Sequence, residues 1–203
     1  GKPIGLIRLD YGVDWNAPFT INHNIVIPEL LLQTMELGYT KHQMRKNKNA
    51  NKCILTLCHE FVHIIQRYPD VYPKQTTKFD NTYRKWGFIP IKPSQLDWSQ
   101  VDMEKLIPLR TNPDGPSFQW LFPLRGTIYM PIFGEIGGDD EKSGKMGGAL
   151  VQVKKLPNGK FKVTNDWDYT KNFDDYLKLF YNRDEQLYHP NEIMAVYLCG
   201  VYM

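Results

Sequence analysis

The chain has 203 residues, a hydrophobic fraction of 42%, an aromatic fraction of 13% and a formal net charge of +3. This length and composition predict a globular protein with a proper core, as one domain or one domain with an insertion. The mild basicity does not by itself indicate nucleic-acid binding. No apolar run approaches the ~20 residues that a bilayer requires, so we expect no membrane span.

The cysteines point weakly to a reducing compartment. Cys53, Cys58 and Cys199 form no C-x-x-C pair, so neither a disulfide scaffold nor a zinc ribbon is expected. No Asn-x-Ser/Thr sequon occurs, and the first ten residues lack a signal-peptide pattern. We therefore expect an intracellular, cytoplasmic protein. Its Lys/Asn-rich composition is typical of an AT-rich microbial or viral genome.

Two strands and one helix are predicted near the N-terminus. IGLIRL at 4–9 and HNIVI at 23–27 are typical of strands. Pro28 suits the first turn of a helix that ends before Gly38. The polar and basic stretch Thr40–Lys52 is expected to be a solvated loop, with a phosphate-binding patch as the alternative.

The next helix, from about Asn51 to Tyr68, carries the motif His59-Glu60-Phe61-Val62-His63. Residues i and i+4 of an α-helix lie on the same face, so the two imidazoles stand side by side with Glu60 next to the first. Two neutral histidines one turn apart can bind one zinc ion, and the glutamate can reach a water on that ion. The pattern H-E-x-x-H is typical of zinc peptidases.

The surroundings of the motif favour a metal site. The segment 54–65 is apolar nearly all round, which predicts a buried helix. Ionisable side chains in such a helix are costly unless something satisfies them. The alternative is a pair of core histidines hydrogen-bonded to carbonyl groups, with Glu60 in a salt bridge.

The middle of the chain is predicted to be irregular first and β-rich afterwards. Pro69 ends the motif helix, and 69–116 is expected to be an irregular, aromatic-rich connection with short helical turns. Residues 117–165 predict a β-hairpin excursion with turns at Arg125-Gly126 and at Asn158-Gly159.

Between the hairpins, the glycine-rich stretch 134–148 is expected to be a flexible loop. It is not a P-loop, because Asp139 and Met146 stand where that motif needs glycine and Ser or Thr. Residues 172–203 predict C-terminal helices, with Pro190 at a first helical position.

Zinc needs at least one more protein ligand. The metzincin pattern fails, since Gln66 stands in place of its glycine and Pro69 in place of its third histidine. Glu192, at the start of an apolar helix, is the best candidate. If His189 or Tyr188 is the N-cap, Glu192 could instead cap the helix from position N3.

Other residues are weaker candidates for the third ligand. His189 competes with Glu192, whereas His23 and His42 are expected to lie on the surface. The remaining candidates are acidic: Asp70, Asp174, Asp175 and Glu185.

HEFVHIIQ, followed far downstream by YHPNEIMA, resembles the gluzincins, which are zinc-dependent metallopeptidases of the zincin fold. The resemblance covers residues 20–68 and 185–203. It implies an α+β, zincin-like fold over 1–203, with an active-site helix, an upstream mixed sheet and an antiparallel β excursion before the C-terminal helices. Substrate would lie along an upstream edge strand, for which HNIVI is the best match.

The resemblance also implies the roles of the site residues. His59, His63 and Glu192 would hold one Zn²⁺, and Glu60 would be the catalytic base. Many gluzincins carry an acid four residues after the ligand glutamate, where it orients a zinc-bound histidine; here that residue is Val196. Another acceptor must therefore fix the tautomer of His59 or His63.

The expected activity is peptide-bond hydrolysis, by an endopeptidase rather than an exopeptidase, on peptide or protein substrates. Zinc lowers the pKa of its bound water to about 7, and Glu60 moves the proton from this water to the leaving amine. Tyr188, His189 and Arg183 could each supply a donor to the oxyanion, and nothing selects among them.

Two alternatives stay open. The chain could be a catalytically silent zincin-fold module that binds a protein partner or has a structural role. It could also be a protease of nucleic-acid-bound proteins that uses the basic segment 41–52.

Overall fold

The computed structural model describes residues 3–10, 18–36, 48–99, 101, 120–136, 145–168, 171–180 and 189–200. Within these ranges the protein is a mixed α+β structure with two β-sheets and five α-helices. The α+β class is thus confirmed, and the zincin-like arrangement stays a prediction. None of the described helices combines the length and the apolar character that crossing a membrane requires.

The first sheet has three strands: β1 (Gly5–Leu9), β2 (Phe19–Ile21) and β3 (Asn24–Pro28). Their order is β1-β3-β2, with β1 parallel and β2 antiparallel to β3. The expectation that HNIVI forms a substrate-bearing edge strand is wrong, because β3 is hydrogen-bonded on both sides. Its continuous run of apolar residues, buried at 25–27, is typical of such a central strand.

Helices α1 (Glu29–Glu36) and α2 (Lys48–Arg67) follow this sheet. Ile64 of α2 packs with Ile25 and Ile27 of β3 in one apolar cluster, which orients α2 against the sheet. α2 begins at Lys48, so the loop expected up to Lys52 is helical over its last five residues. Residues 41–47 of that basic segment lie outside the described residues.

The third helix, α3 (Pro73–Lys85), lies where an irregular connection was expected, so that prediction is wrong there. Pro73 occupies the first helical position, where its missing N–H costs nothing. Thr76 and Tyr83 are buried and two helical turns apart. Their spacing therefore fits the 3.6-residue helical period, although the segment is rich in Pro, Asp and Asn. Residues 100 and 102–116 of the connection lie outside the described residues.

The second sheet has six strands: β4 (Ile89–Pro90), β5 (Leu96–Asp97), β6 (Trp120–Leu124), β7 (Thr127–Ile136), β8 (Lys145–Lys155) and β9 (Phe161–Asp168). Their order is β4-β6-β7-β8-β9-β5. Within this sheet, β5 pairs parallel with β9, and the other described pairs are antiparallel. A 3-10 turn (Pro93–Gln95) precedes β5.

Both predicted hairpins are confirmed. Arg125 and Gly126 connect β6 to β7 with φ of 52° and 80°, the left-handed pair of a tight two-residue turn. Gly159, with φ of 79°, turns the chain between β8 and β9. The flexible loop expected over 134–148 is wrong at its ends, because 134–136 pairs with 145–147 as a continuation of β7 and β8. Residues 137–144 lie outside the described residues.

The core of the second sheet follows the period-2 alternation of its strands. One cluster of buried residues contains Met130 and Ile132 from β7, Val151 and Val153 from β8, and Val163 from β9. Adjacent residues of a strand point to opposite faces, so Leu121 and Phe122 of β6 serve different faces. Phe122 meets the aromatic residues Phe88, Tyr176 and Phe180.

The C-terminal helices are α4 (Lys171–Leu179) and α5 (Pro190–Cys199), close to the predicted positions. The chain divides into two compact units: the described residues up to Thr77 with those from Met194 onward, and the described residues from Lys78 to Ile193. α3 and α5 continue across these boundaries. The single catalytic domain expected over 1–203 stays a prediction.

Candidate metal centre

Helix α2 buries two ionisable side chains beside apolar ones such as Val62 and Ile64. Glu60 and His63 are buried, with 4% and 0% of their surfaces exposed, whereas Ile54 and Phe61 expose 36% and 39%. The expectation of a helix buried all round is therefore wrong for the face that carries Ile54 and Phe61. Burying a carboxyl and an imidazole while exposing apolar groups costs free energy unless the buried groups are satisfied. The buried face of α2 thus combines apolar packing with two ionisable side chains that need partners.

The two histidines of the motif meet through their Nε2 atoms. The Nε2 atoms of His59 and His63 are 2.9 Å apart, and the two rings are nearly perpendicular at 81°. Zinc–nitrogen bonds of about 2.05 Å at a tetrahedral angle separate two ligand atoms by about 3.3 Å. A small outward movement of the rings would therefore admit a metal ion between these atoms.

Glu192 of α5 completes a group of three possible ligands. The ligand atoms of His59, His63 and Glu192 all lie within 4.8 Å of one another, with His63 buried and the other two partly buried. Beyond Glu192, α5 continues from Met194 into the part of the helix that belongs to the same unit as α2. The structure thus brings together the three residues that were predicted from the sequence as metal ligands, and this group could hold a metal ion.

The donor set is chemically suited to a metal. Two imidazole nitrogens and one carboxylate oxygen match the three protein ligands of catalytic zinc sites, which leave a fourth position open. Nitrogen and oxygen donors of this kind also accept other first-row divalent metals, so the donors alone do not choose the ion.

His189 has a different role from the one considered for it. It is the N-cap of α5, and its Nδ1 accepts a hydrogen bond from the backbone N–H of Asn191 at 3.2 Å. Pro190 is the first helical residue, as predicted, which makes Glu192 the third. A glutamate at the third helical position can also cap the helix N-terminus. Glu192 could therefore cap α5 and still belong to the group of possible metal ligands. Among the described residues, His189 does not belong to this group.

Electrostatics gives a second link between α5 and α2. Burial first, and after it the nearby Cys58 and Glu60, raises the pKa of the Cys199 thiol to about 11. Cys58 and Glu60 lie on α2, and Cys199 is the last residue of α5. The end of α5 is therefore within electrostatic reach of the motif.

Gln66 is a site residue that the sequence reasoning missed. Its Oε1 lies 2.8 Å from Nδ1 of His63. The sequence contained the necessary indication, since residues i and i+3 of a helix are neighbours and Gln66 is three residues after His63.

The weaker candidates do not join the group in the described part of the chain. Asp70 and Asp174 are exposed, and Asp175 pairs with Arg125 and Lys178. His23, expected on the surface, is partly buried, with its ring centroid 3.6 Å from that of Tyr68. The other candidates lie outside the described residues: His42, Arg183, Glu185 and Tyr188.

Comparison with known proteins adds no relative. No protein-family model, no curated protein and no solved structure matches this chain.

Proposed function

We propose that this protein is a zinc-dependent peptidase that hydrolyses peptide bonds as the gluzincins do. The observation that carries the proposal is the group of His59, His63 and Glu192, with all ligand atoms within 4.8 Å of one another. The buried carboxyl of Glu60 lies next to His59 in the chain and supplies the acid–base group that such hydrolysis needs. The H-E-x-x-H spacing on one helix favours zinc over other metals for this donor set.

The proposed reaction divides the work between a metal and the chain. His59, His63 and Glu192 would hold the zinc ion, which would supply Lewis acidity to the attacking water and to the peptide carbonyl. A carboxylate oxygen of Glu60 accepts one proton from the attacking water and delivers it to the leaving nitrogen. A C–O bond forms and the C–N bond breaks, so the products are a carboxylate and an amine.

Three residues are candidates for the donor to the oxyanion. His189 is the candidate that lies within the described residues. Because its Nδ1 accepts a hydrogen bond from Asn191, the proton of the neutral ring lies on Nε2, which can therefore donate. Tyr188 and Arg183 stay candidates on their sequence positions alone.

The proposed peptidase is an endopeptidase that acts on peptides or proteins in an intracellular setting. Its three free cysteines support that setting.

The first experiment is to measure the metal content of the protein by mass spectrometry after purification without added zinc. We expect about one zinc per chain, which is lost in His63→Ala and retained in His23→Ala, a matched change of a histidine outside the group. Iron or manganese in place of zinc would overturn the choice of metal. No metal in the wild type, even after incubation with zinc and desalting, would overturn the metal site.

A second experiment addresses catalysis. The zinc-loaded protein is incubated with unfolded proteins and a mixed peptide library, and the products are identified by mass spectrometry. Cleavage that a chelator abolishes and zinc restores supports the peptidase. Bound zinc without any cleavage would favour the catalytically silent module.

A further inference from the structure

The two ring nitrogens of His63 make different contacts. Nδ1 lies 2.8 Å from Oε1 of Gln66, and Nε2 lies 2.9 Å from Nε2 of His59. All three side chains belong to α2, within one compact unit. Gln66 is partly buried, and His63 is fully buried. Each contact is therefore set by the helical geometry of a single element.

These contacts determine where the ring proton of His63 lies. An amide oxygen carries no proton and can only accept, so Nδ1–H of His63 donates to Oε1 of Gln66. A neutral imidazole has one N–H, and Nε2 of His63 is consequently left with its lone pair. That lone pair is directed at His59, the side from which a metal would be bound.

We infer that Gln66 is the positioning residue of this centre, which holds His63 in the tautomer and orientation that a metal requires. The inference rests on the proposed metal site and deepens it. It answers the question that Val196 raises, because the acceptor that orients a ligand histidine comes from the motif helix itself. Outer partners of this kind change metal affinity by about 10–100-fold when they are removed.

The same proton assignment makes the two histidines unequal before metal binds. Since Nε2 of His63 accepts, Nε2–H of His59 is the donor across the 2.9 Å contact. A metal can bind His59 through Nε2 only after that proton has left the nitrogen. His63 is therefore prepared as a ligand by Gln66, whereas His59 changes tautomer on binding.

The variants that test this are Gln66→Leu, which removes the acceptor, and Gln66→Glu, which keeps one. Gln75→Leu is the matched control, because Gln75 is an exposed glutamine of α3 in the same unit. The dissociation constant of Zn²⁺ is measured by competition with a chelator. We expect Gln66→Leu to weaken binding by about 10–100-fold, and Gln66→Glu and the control to stay near the wild type.

A second measurement needs no metal, and the wild type alone can overturn the inference by it. Long-range ¹⁵N–¹H NMR spectra of the metal-free wild type report which ring nitrogen of each histidine carries the proton. We expect the proton of His63 on Nδ1 in the wild type and in Gln66→Glu, and its redistribution between the two nitrogens in Gln66→Leu. A proton on Nε2 of His63 in the wild type would overturn the inference even if Gln66→Leu does not fold.

The zinc-binding and cleavage measurements distinguish failure of the role of Gln66 from failure of the proposed peptidase activity. If the wild type binds zinc and Gln66→Leu binds it equally well, the inference fails and the proposed function stands. If Gln66→Leu weakens zinc binding but the loaded wild type cleaves nothing, the inference stands and the peptidase fails. If the wild type binds no zinc, both fail.

Discussion

Helix α2 and the second sheet bury side chains to the same depth but for opposite reasons. Met130 of the sheet and His63 of the helix are both fully buried. Burying a methionine side chain contributes about 1.5–3 kcal/mol to folding, whereas burying a polar group costs free energy unless hydrogen bonds compensate. His63 has such contacts through Gln66 and His59, so its burial is tolerated rather than stabilising.

A core and a candidate site differ in which side chains they bury. In the second sheet the apolar residues face inward with the period of the strands, as folding alone requires. In α2 the ionisable Glu60 and His63 are buried beside the apolar Val62 and Ile64, while Ile54 and Phe61 are at the surface. Folding gains nothing from burying the two ionisable groups, which is why we attribute their burial to function.

The largest effect on activity is expected from a substitution of Glu60, one of the two buried ionisable residues of α2. Glu60→Gln keeps the size of the side chain but removes its ability to accept a proton, so we expect turnover to fall by about 10²–10⁴-fold. Metal content should stay at the wild-type value. Glu29→Gln, which affects the contacts of Glu29 with Arg8 and Gln33 outside the site, is the matched control with unchanged turnover. Undiminished cleavage by Glu60→Gln would show that another group is the base.

The next effect separates stability from binding. Met130→Ala leaves a cavity in the core of the sheet, so the free energy of unfolding should fall by about 2–5 kcal/mol, with unchanged metal content in the folded protein. His63→Leu should do the reverse: it should abolish metal binding and change the unfolding free energy of the metal-free protein by about 1 kcal/mol or less. Urea denaturation in the presence of a chelator measures the two unfolding free energies, and mass spectrometry measures the metal content. A large loss of stability in His63→Leu would make this histidine a core residue.

A pH-dependent test concerns Cys199, at the end of α5. Its pKa is raised to about 11, so at pH 8 it should contain about a hundredfold less reactive thiolate than an ordinary cysteine. Alkylation, followed by peptide mapping, should therefore accelerate up to about pH 11. The neutral thiol is the form that the fold favours, so its contribution to stability is full below pH 9.0 and is lost as the pH rises towards 11. Half-maximal alkylation near pH 9 would contradict this burial beside Cys58 and Glu60.

The smallest effect is expected at the turn between β6 and β7. Arg125 pairs with Asp175, and both side chains retain exposure to solvent. Arg125→Ala should lower the unfolding free energy by no more than about 1 kcal/mol, and less at high salt. Thermal unfolding at two salt concentrations measures this. A loss comparable to that of Met130→Ala would mean that charge pairs, and not apolar packing, hold this part of the sheet.

Much of the local structure could be predicted from the sequence, because short-range patterns encode it. The Asn158-Gly159 turn and the helix beginning at Pro190 depend on backbone preferences of a few neighbouring residues. Composition is a poorer guide than periodicity for two elements. The segment of α3 is rich in Pro, Asp and Asn but forms a helix. The glycine-containing ends of β7 and β8 form strands because their pairing depends on the register of the whole hairpin.

For the site, the sequence alone determined that His59 and His63 would stand one turn apart, since both lie on the same helix and its repeat is constant. Packing between distant segments brings Glu192 to these histidines and turns Glu60 and His63 inward. The position of HNIVI was also decided at that level: a strand is at the edge or in the centre according to which strands pair with it. The physical reason is the same in each case, because contacts between distant segments depend on packing and not on local backbone preference.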